Sequence, residues 1–212
     1  MTYGFWILIT NRFWFIVQEE RFLNLQVNQR LLFLIEVAMM AALAFLLDLA
    51  SGIFFKMPQG GTVSLGMIPV FIMAFRRGLS GGLLTGLIFG FLQVAIGNPS
   101  VYHPFQAFLD YYLAFTVVGF SGILFKQIQQ SLGNRNRMIF LIILAAFIGN
   151  FLRYIVHVIG GAIFFAEYAP DGMPVVLYSL GYNATYMIPT LIVSAIICCL
   201  ILLTAPRLVT RK

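Results

Sequence analysis

Residues 191–205 read LIVSAIICCLILLTA and residues 141–152 read LIILAAFIGNFL, apolar runs in which polar and apolar side chains do not alternate. A membrane-spanning β-strand alternates over about ten residues, because one face meets lipid and the other the lumen. These runs are therefore helical. Around them the chain stays apolar: 61% of its 212 residues are hydrophobic and 9% are charged, against roughly 45–50% and 25% in soluble domains. So few charges cannot cover a water-facing surface. About 20 apolar residues carry a helix across the hydrocarbon layer. Breaks at polar, Pro and Gly residues place helices near 32–50, 62–75, 79–97, 104–126, 138–166 and 174–204. The second is short for a crossing without tilt or support from neighbours. The expected fold is an all-α membrane protein, a six-transmembrane-helix bundle over 31–206.

Orientation follows from Lys and Arg, which stay on the cytoplasmic side. If the odd helices run from inside to outside, the inner side holds Arg12, Arg21, Arg30, Arg76, Arg77, Lys126, Arg135, Arg137, Arg207, Arg211 and Lys212, eleven of thirteen basic residues. Only Lys56 falls on an outer loop, and Arg153 lies within the fifth helix. Both termini are expected in the cytoplasm, with 207–212 as a basic tail. The formal charge of +6 thus reads as topology, since no basic run longer than Arg76-Arg77 suggests nucleic acid. Residues 1–30 form an amino-terminal extension whose apolar stretch is interrupted at Asn11-Arg12. It lacks the basic start and small-residue cleavage site of a signal peptide. Two readings stand, an interfacial amphipathic anchor and sequence upstream of the natural start.

Gly78, Gly82, Gly86 and Gly90 recur every fourth residue on one face of the third helix. Lipid gives helices no hydrophobic reason to associate, so close approach at small residues supplies the contact. That ridge reads as internal packing. Ala38 and Ala42 make a similar face on the first helix, open to internal packing or to another membrane subunit. Cys198 and Cys199 stand side by side in an apolar run and read as small helix- or lipid-facing residues, not a disulfide or metal site.

Polar groups inside the membrane cost a few kcal/mol or more each and normally face a cavity or a partner. Asp110 sits in QAFLDYYLAF, and Arg153 and His157 share one face of the fifth helix at i, i+4. Tyr178 and Asn183 lie in the outer half of the sixth, and Tyr102, His103, Tyr111, Tyr112, Phe164, Phe165 and Tyr168 are near the same level. Single aromatic residues at this depth belong to the interfacial belt more often than to a site. His103 before Pro104 reads as a loop-end residue, Arg153 as a cation that pairs with a carboxylate or helix end, and Asp48 and Glu36 as helix-end groups reaching water. Asp110 and His157 resist such readings. As a set, one carboxylate among aromatic rings suits a small planar cation, attracted by cation–π contacts.

Chemistry beyond binding lacks its parts. None of the three lysines follows a glycine, so there is no phosphate-binding GK[ST] loop. HExxH is missing as well, and one convincing buried carboxylate does not make a paired-carboxylate or zinc catalyst. No catalytic residue, metal or cofactor is expected. Ionisable groups collect at one end instead of crossing the membrane as a relay, against a self-sufficient proton-coupled carrier.

The stretches LIEVAMMAALAF (34–45), SLGMIPVFIMAFRRGLSGGLLTG (64–86), QAFLDYYLAF (106–115), FLRYIVHVIGGAIFFAEYAPDG (151–172) and VVLYSLGYNAT (175–185) occur in a specific order. Together, over about 31–205, they resemble the thiamin-specific substrate-binding (S) components of energy-coupling factor transporters. The resemblance implies a multi-pass bacterial plasma-membrane subunit that captures thiamin, vitamin B1, from outside. Energy would come from a membrane coupling protein and two cytoplasmic ATPase subunits. It implies that Asp110 occupies the family's acidic ligand-contact position, usually glutamate, followed by Tyr111. His157, Tyr178 and Asn183 match the family's histidine, tyrosine and asparagine. Phe165 stands where members can carry a stacking tryptophan, and Tyr102 matches an upstream pocket tyrosine. Ala38 and Ala42 match the AxxxA face that docks on the coupling protein. The chain departs from the pattern at Gly60, where some members place a stacking tryptophan, so that aromatic wall is expected from elsewhere. Asp110 is also one methylene shorter than glutamate. An S component for another vitamin such as riboflavin, and a standalone secondary carrier or membrane enzyme, are the alternatives.

Overall fold

The computed structural model describes residues 29–58, 60–97, 99 and 101–210. Residues 1–28 of the extension, with Arg12 and Arg21, and the terminal Arg211 and Lys212 lie outside the described residues. The chain divides into two units, 1–34 and 35–212. Residues 29–34 of the first open helix α1; the second holds the rest of the bundle and every site residue. Among the described residues five helices are long and apolar enough to cross a membrane: α1 Gln29–Phe54, α2 Met67–Ile96, α3 Pro104–Gln130, α4 Arg135–Phe164 and α5 Val175–Thr204. Large apolar side chains such as Leu46, Ile53, Phe91, Phe140 and Leu200 point outward, the arrangement lipid requires of a bundle whose backbone bonds are internally satisfied.

Six separate helices were expected, and α2 explains the difference. Its backbone leaves the helical region at Gly78, with φ 72° and ψ −158°, a left-handed excursion that glycine makes without steric cost. Residues 74 and 82 of a straight helix would stand about 12 Å apart at 1.5 Å per residue. Here Ala74 Cβ is 2.8 Å from where a Cβ on Gly82 would lie, and Phe89 Cζ is 2.9 Å from that of Gly66. The chain folds back at Gly78, and the arms 67–77 and 79–96 lie against each other. The expected segment 62–75 starts too early, because residues 62–66 are a loop.

The glycine ridge packs as the spacing suggests. A Cβ on Gly86 would lie 2.1 Å from Phe115 O, one on Gly90 2.3 Å from Tyr111 O, and one on Gly82 2.7 Å from Gly119 Cα. α2 therefore touches the backbone of α3 directly. That closeness accompanies irregular winding in α3, π-helical over Phe108–Leu113 and 3₁₀ over Val118–Leu124.

At the opposite end from the polar cluster, Glu36 does not simply reach water. Its carboxylate accepts from Arg76 Nη2 at 2.9 Å and Arg77 Nε at 2.6 Å. Arg76 Nη1 also donates to the carbonyls of Leu208 and Thr210, and Gln129 Nε2 donates to Phe75 O and Val209 O. The hairpin corner thus ties α1, the end of α3 and the carboxyl-terminal residues together. Cys198 is buried, Cys199 partly so, and both are free thiols.

Candidate functional site

A cavity of about 380 Å³ opens among α1, the arm 79–96, α3, α4 and α5, within the range of about 300–1,000 Å³ usual for small ligands. Asp110 reaches it from the π-helical turn, where one extra residue per turn re-aims a side chain. Gln106 Nε2 donates to Asp110 Oδ2 at 2.8 Å, and His157 Nδ1 stands 3.3 Å from Asp110 Oδ1. Gly160 leaves room for this carboxylate, since a Cβ there would meet Asp110 Oδ1 at 2.9 Å. With Nδ1–H assigned toward Asp110, His157 Nε2 is left as an acceptor, and it has no protein partner among the described residues.

α5 supplies the facing wall. Asn183 Nδ2 donates to Ser179 O at 2.9 Å, while Asn183 Oδ1 accepts from Tyr186 OH. Tyr178 and Tyr182 stack with ring centroids 5.9 Å apart, and Tyr186 meets Tyr182 edge-on at 6.2 Å. Gly60 and Gly61 come over these rings. Tyr182 OH donates to Gly60 O at 2.8 Å, and Gly61, at φ 90°, sits where a Cβ would strike Tyr186 at 2.6 Å. Where an aromatic ring was missing at Gly60, Tyr182 and Tyr186 provide the surface.

Asp110, Tyr111, His157, Phe165, Tyr178, Asn183 and Gly60 all line the cavity. Tyr102 does not. It is 72% exposed and meets the edge of Phe165 from outside, with centroids 5.8 Å apart. His103 caps α3, its Nδ1 accepting from Phe105 N at 3.1 Å. Ala38 and Ala42 lie exposed on α1, while Ala41 and Ala44 are buried inside.

Several lining residues carried no signal of their own. Asp48 was expected to reach water, yet it accepts from Ser64 Oγ and Gln93 Nε2 and borders the cavity. Arg153 was expected to pair with a carboxylate or helix end. It lines the cavity without an ion pair among the described residues, its Cζ 5.0 Å from the Phe115 ring centroid. Tyr182, Tyr186, Gln93 and Gln106 were also passed over; the i, i+4 spacing of Tyr178, Tyr182 and Tyr186 was the available clue.

Comparison with known proteins agrees with this architecture. Residues 34–210 match the family model described as thiamine transporter protein. The thiamine transporter ThiT of Bacillus subtilis (strain 168) is 49% identical over 183 residues, 85% of this chain and 95% of that protein. The thiamine transporter ThiT of Lacticaseibacillus paracasei is 30% identical over 198 residues, 89% of this chain and 95% of that protein. The solved structure of ThiT from Listeria monocytogenes superposes with a TM-score of 0.79 at 33% identity, covering 85% of this chain and 98% of that one. This chain is accordingly a multi-pass bacterial membrane protein, and it belongs to the family of thiamine transporter proteins.

Proposed function

We propose that the protein captures thiamin in this cavity from the outer side of the membrane, without catalysis of its own. The observation that carries this reading is the Asp110–His157 pair set among the tyrosines of α5. Thiamin joins a permanently cationic thiazolium to an aminopyrimidine. Aromatic faces and a carboxylate favour the cation, and His157 Nε2 can accept from the ring amine. Tyr111, Phe165, Asn183 and the Gly60 carbonyl region complete the contacts, and Tyr102 contributes by backing Phe165.

In this reading the chain makes six crossings, and the arm 67–77, about 17 Å of helix, completes its crossing together with residues 60–66 before it. The cavity lies opposite Arg76 and Arg77, so the positive-inside rule turns it outward and keeps both termini cytoplasmic. The exposed small-residue face of Ala38 and Ala42 serves as the docking surface for a membrane coupling protein, and two ATPase subunits supply the energy. Calorimetric titration of detergent-purified protein tests the capture step. Nanomolar thiamin binding, about −12 kcal/mol, with no riboflavin signal is expected. Riboflavin binding or silence with thiamin would overturn it. Thiamin uptake in cells lacking the coupling and ATPase subunits would overturn the partnership.

A further inference from the structure

Gln106 lies in the first turn of α3, four residues after Tyr102 and four before Asp110, and it is 2% exposed. Its Oε1 accepts from the backbone N of Tyr102 at 3.0 Å, and its Nε2 donates to Asp110 Oδ2 at 2.8 Å. Those partners fix which way the amide faces. A backbone N–H can only donate and a carboxylate accepts, so a flipped amide would set donor against donor and acceptor against acceptor. The first bond is what a helix start asks for, since a glutamine at the third helical position commonly reaches back to the backbone ahead. The second goes beyond capping. Asp110 hangs from a single methylene within the π-helical turn, and Gln106 and His157 grip its two oxygens from α3 and α4. Each carboxylate oxygen has two lone pairs, so both stay open to a further donor or a cation on the cavity side.

We propose that Gln106 is a positioning residue for capture: it ties the Asp110 carboxylate to the backbone ahead of α3 and holds it at the aim from which it meets the ligand. The assignment rests on the thiamin reading above. Tyr102 takes part through its backbone N–H, although its ring stays outside the cavity.

The test is calorimetry with thiamin on the full-length protein in detergent, comparing wild type, Gln106→Met, Asp110→Ala and the double variant. Methionine keeps the length of the side chain without either hydrogen bond. Alone it is expected to weaken thiamin at least about tenfold, the size of one hydrogen bond to a charged group. In the Asp110→Ala background, where no carboxylate is left to hold, the same change should cost less than about twofold. An equal factor in both backgrounds, the mark of a helix cap or of packing, overturns the assignment, as does unchanged affinity in Gln106→Met. Asp110→Ala that binds like wild type also overturns it, because Gln106 would then hold a group the ligand does not use. Should Gln106→Met not fold, Gln106→Glu replaces it, keeping an oxygen for the Tyr102 N–H and putting an acceptor where Asp110 meets a donor. It is expected to weaken thiamin with Asp110 present and not in the Asp110→Ala background. Affinity equal to wild type, or an equal loss in both, overturns the assignment. Wild type that binds no thiamin would overturn the proposed function and this assignment with it, whereas the outcomes above leave capture standing.

Discussion

Asp110 Oδ1 stands 3.3 Å from His157 Nδ1, joining the π-helical turn of α3 to α4 at the wall of the cavity. The contact fixes which face of the imidazole meets a ligand. It also leaves the carboxylate partly desolvated beside aromatic rings, where its charge is felt most strongly. Replacing Asp110 with Ala is expected to weaken thiamin binding by about 2 kcal/mol or more, roughly thirtyfold, as loss of one partner from a desolvated charged contact does. Calorimetry on the purified variant measures this. Affinity equal to wild type would remove Asp110 from the site.

Gly86 gives a second expectation. Its missing Cβ would overlap Phe115 O at 2.1 Å, and a carbonyl within a helix cannot swing aside as a side-chain tip can. Gly86→Ala should separate α2 from α3 and cost about 1–3 kcal/mol or more, the range for overpacking. Gly181→Ala is the control, since no atom lies within 4 Å of a Cβ there. Thermal unfolding in detergent should show a clear drop for the first and little change for the second.

The difference between those glycines bears on how much the sequence discloses. Period-four spacing announced the ridge, and long apolar runs announced the helices, because both are local patterns repeated many times. The corner at Gly78 was legible as a gap between segments. The π-helical turn was not, since no residue in FLDYYL demands it; it arises where α3 fits around neighbours. Asp48, Gln93 and Arg153 were harder still. Arg153 shares a face with His157 at i, i+4, but in a nearly uniform apolar sequence nothing marks the face that Asp48 or Gln93 occupies. Only packing shows that all three border one cavity, and that Tyr102, equally aromatic, stays outside it.

Glu36 stands twelve residues before Asp48 on α1, about 18 Å away at 1.5 Å per residue, and it serves the other end of the bundle. Two guanidinium groups, one of them on the buried Arg77, converge on its carboxylate. Glu36→Ala leaves those cations facing one another, and breaking a largely buried pair costs about 3–5 kcal/mol. A marked loss of thermal stability is expected, with thiamin affinity in the protein that remains folded unchanged. Weakened thiamin binding by that fraction would show that the inner clamp and the cavity are coupled.

Phe165 offers a direct view of the ligand. Its ring borders the cavity between Tyr102 and Tyr168, with centroids 5.8 Å and 6.2 Å away. The chain's two tryptophans, Trp6 and Trp14, belong to the extension, and no tryptophan lines the cavity among the described residues. Phe165→Trp puts an indole where the phenyl ring stands. Tryptophan is the best of the aromatic rings for holding a cation, in a contact worth about 0.5–1 kcal/mol at exposed sites. Thiamin affinity should therefore hold or rise slightly. Contact with the electron-poor thiazolium should quench the new emission in step with calorimetric saturation, while riboflavin at the same concentrations leaves it unchanged after correction for absorbance. Emission that ignores saturating thiamin would place Phe165 away from the bound ligand.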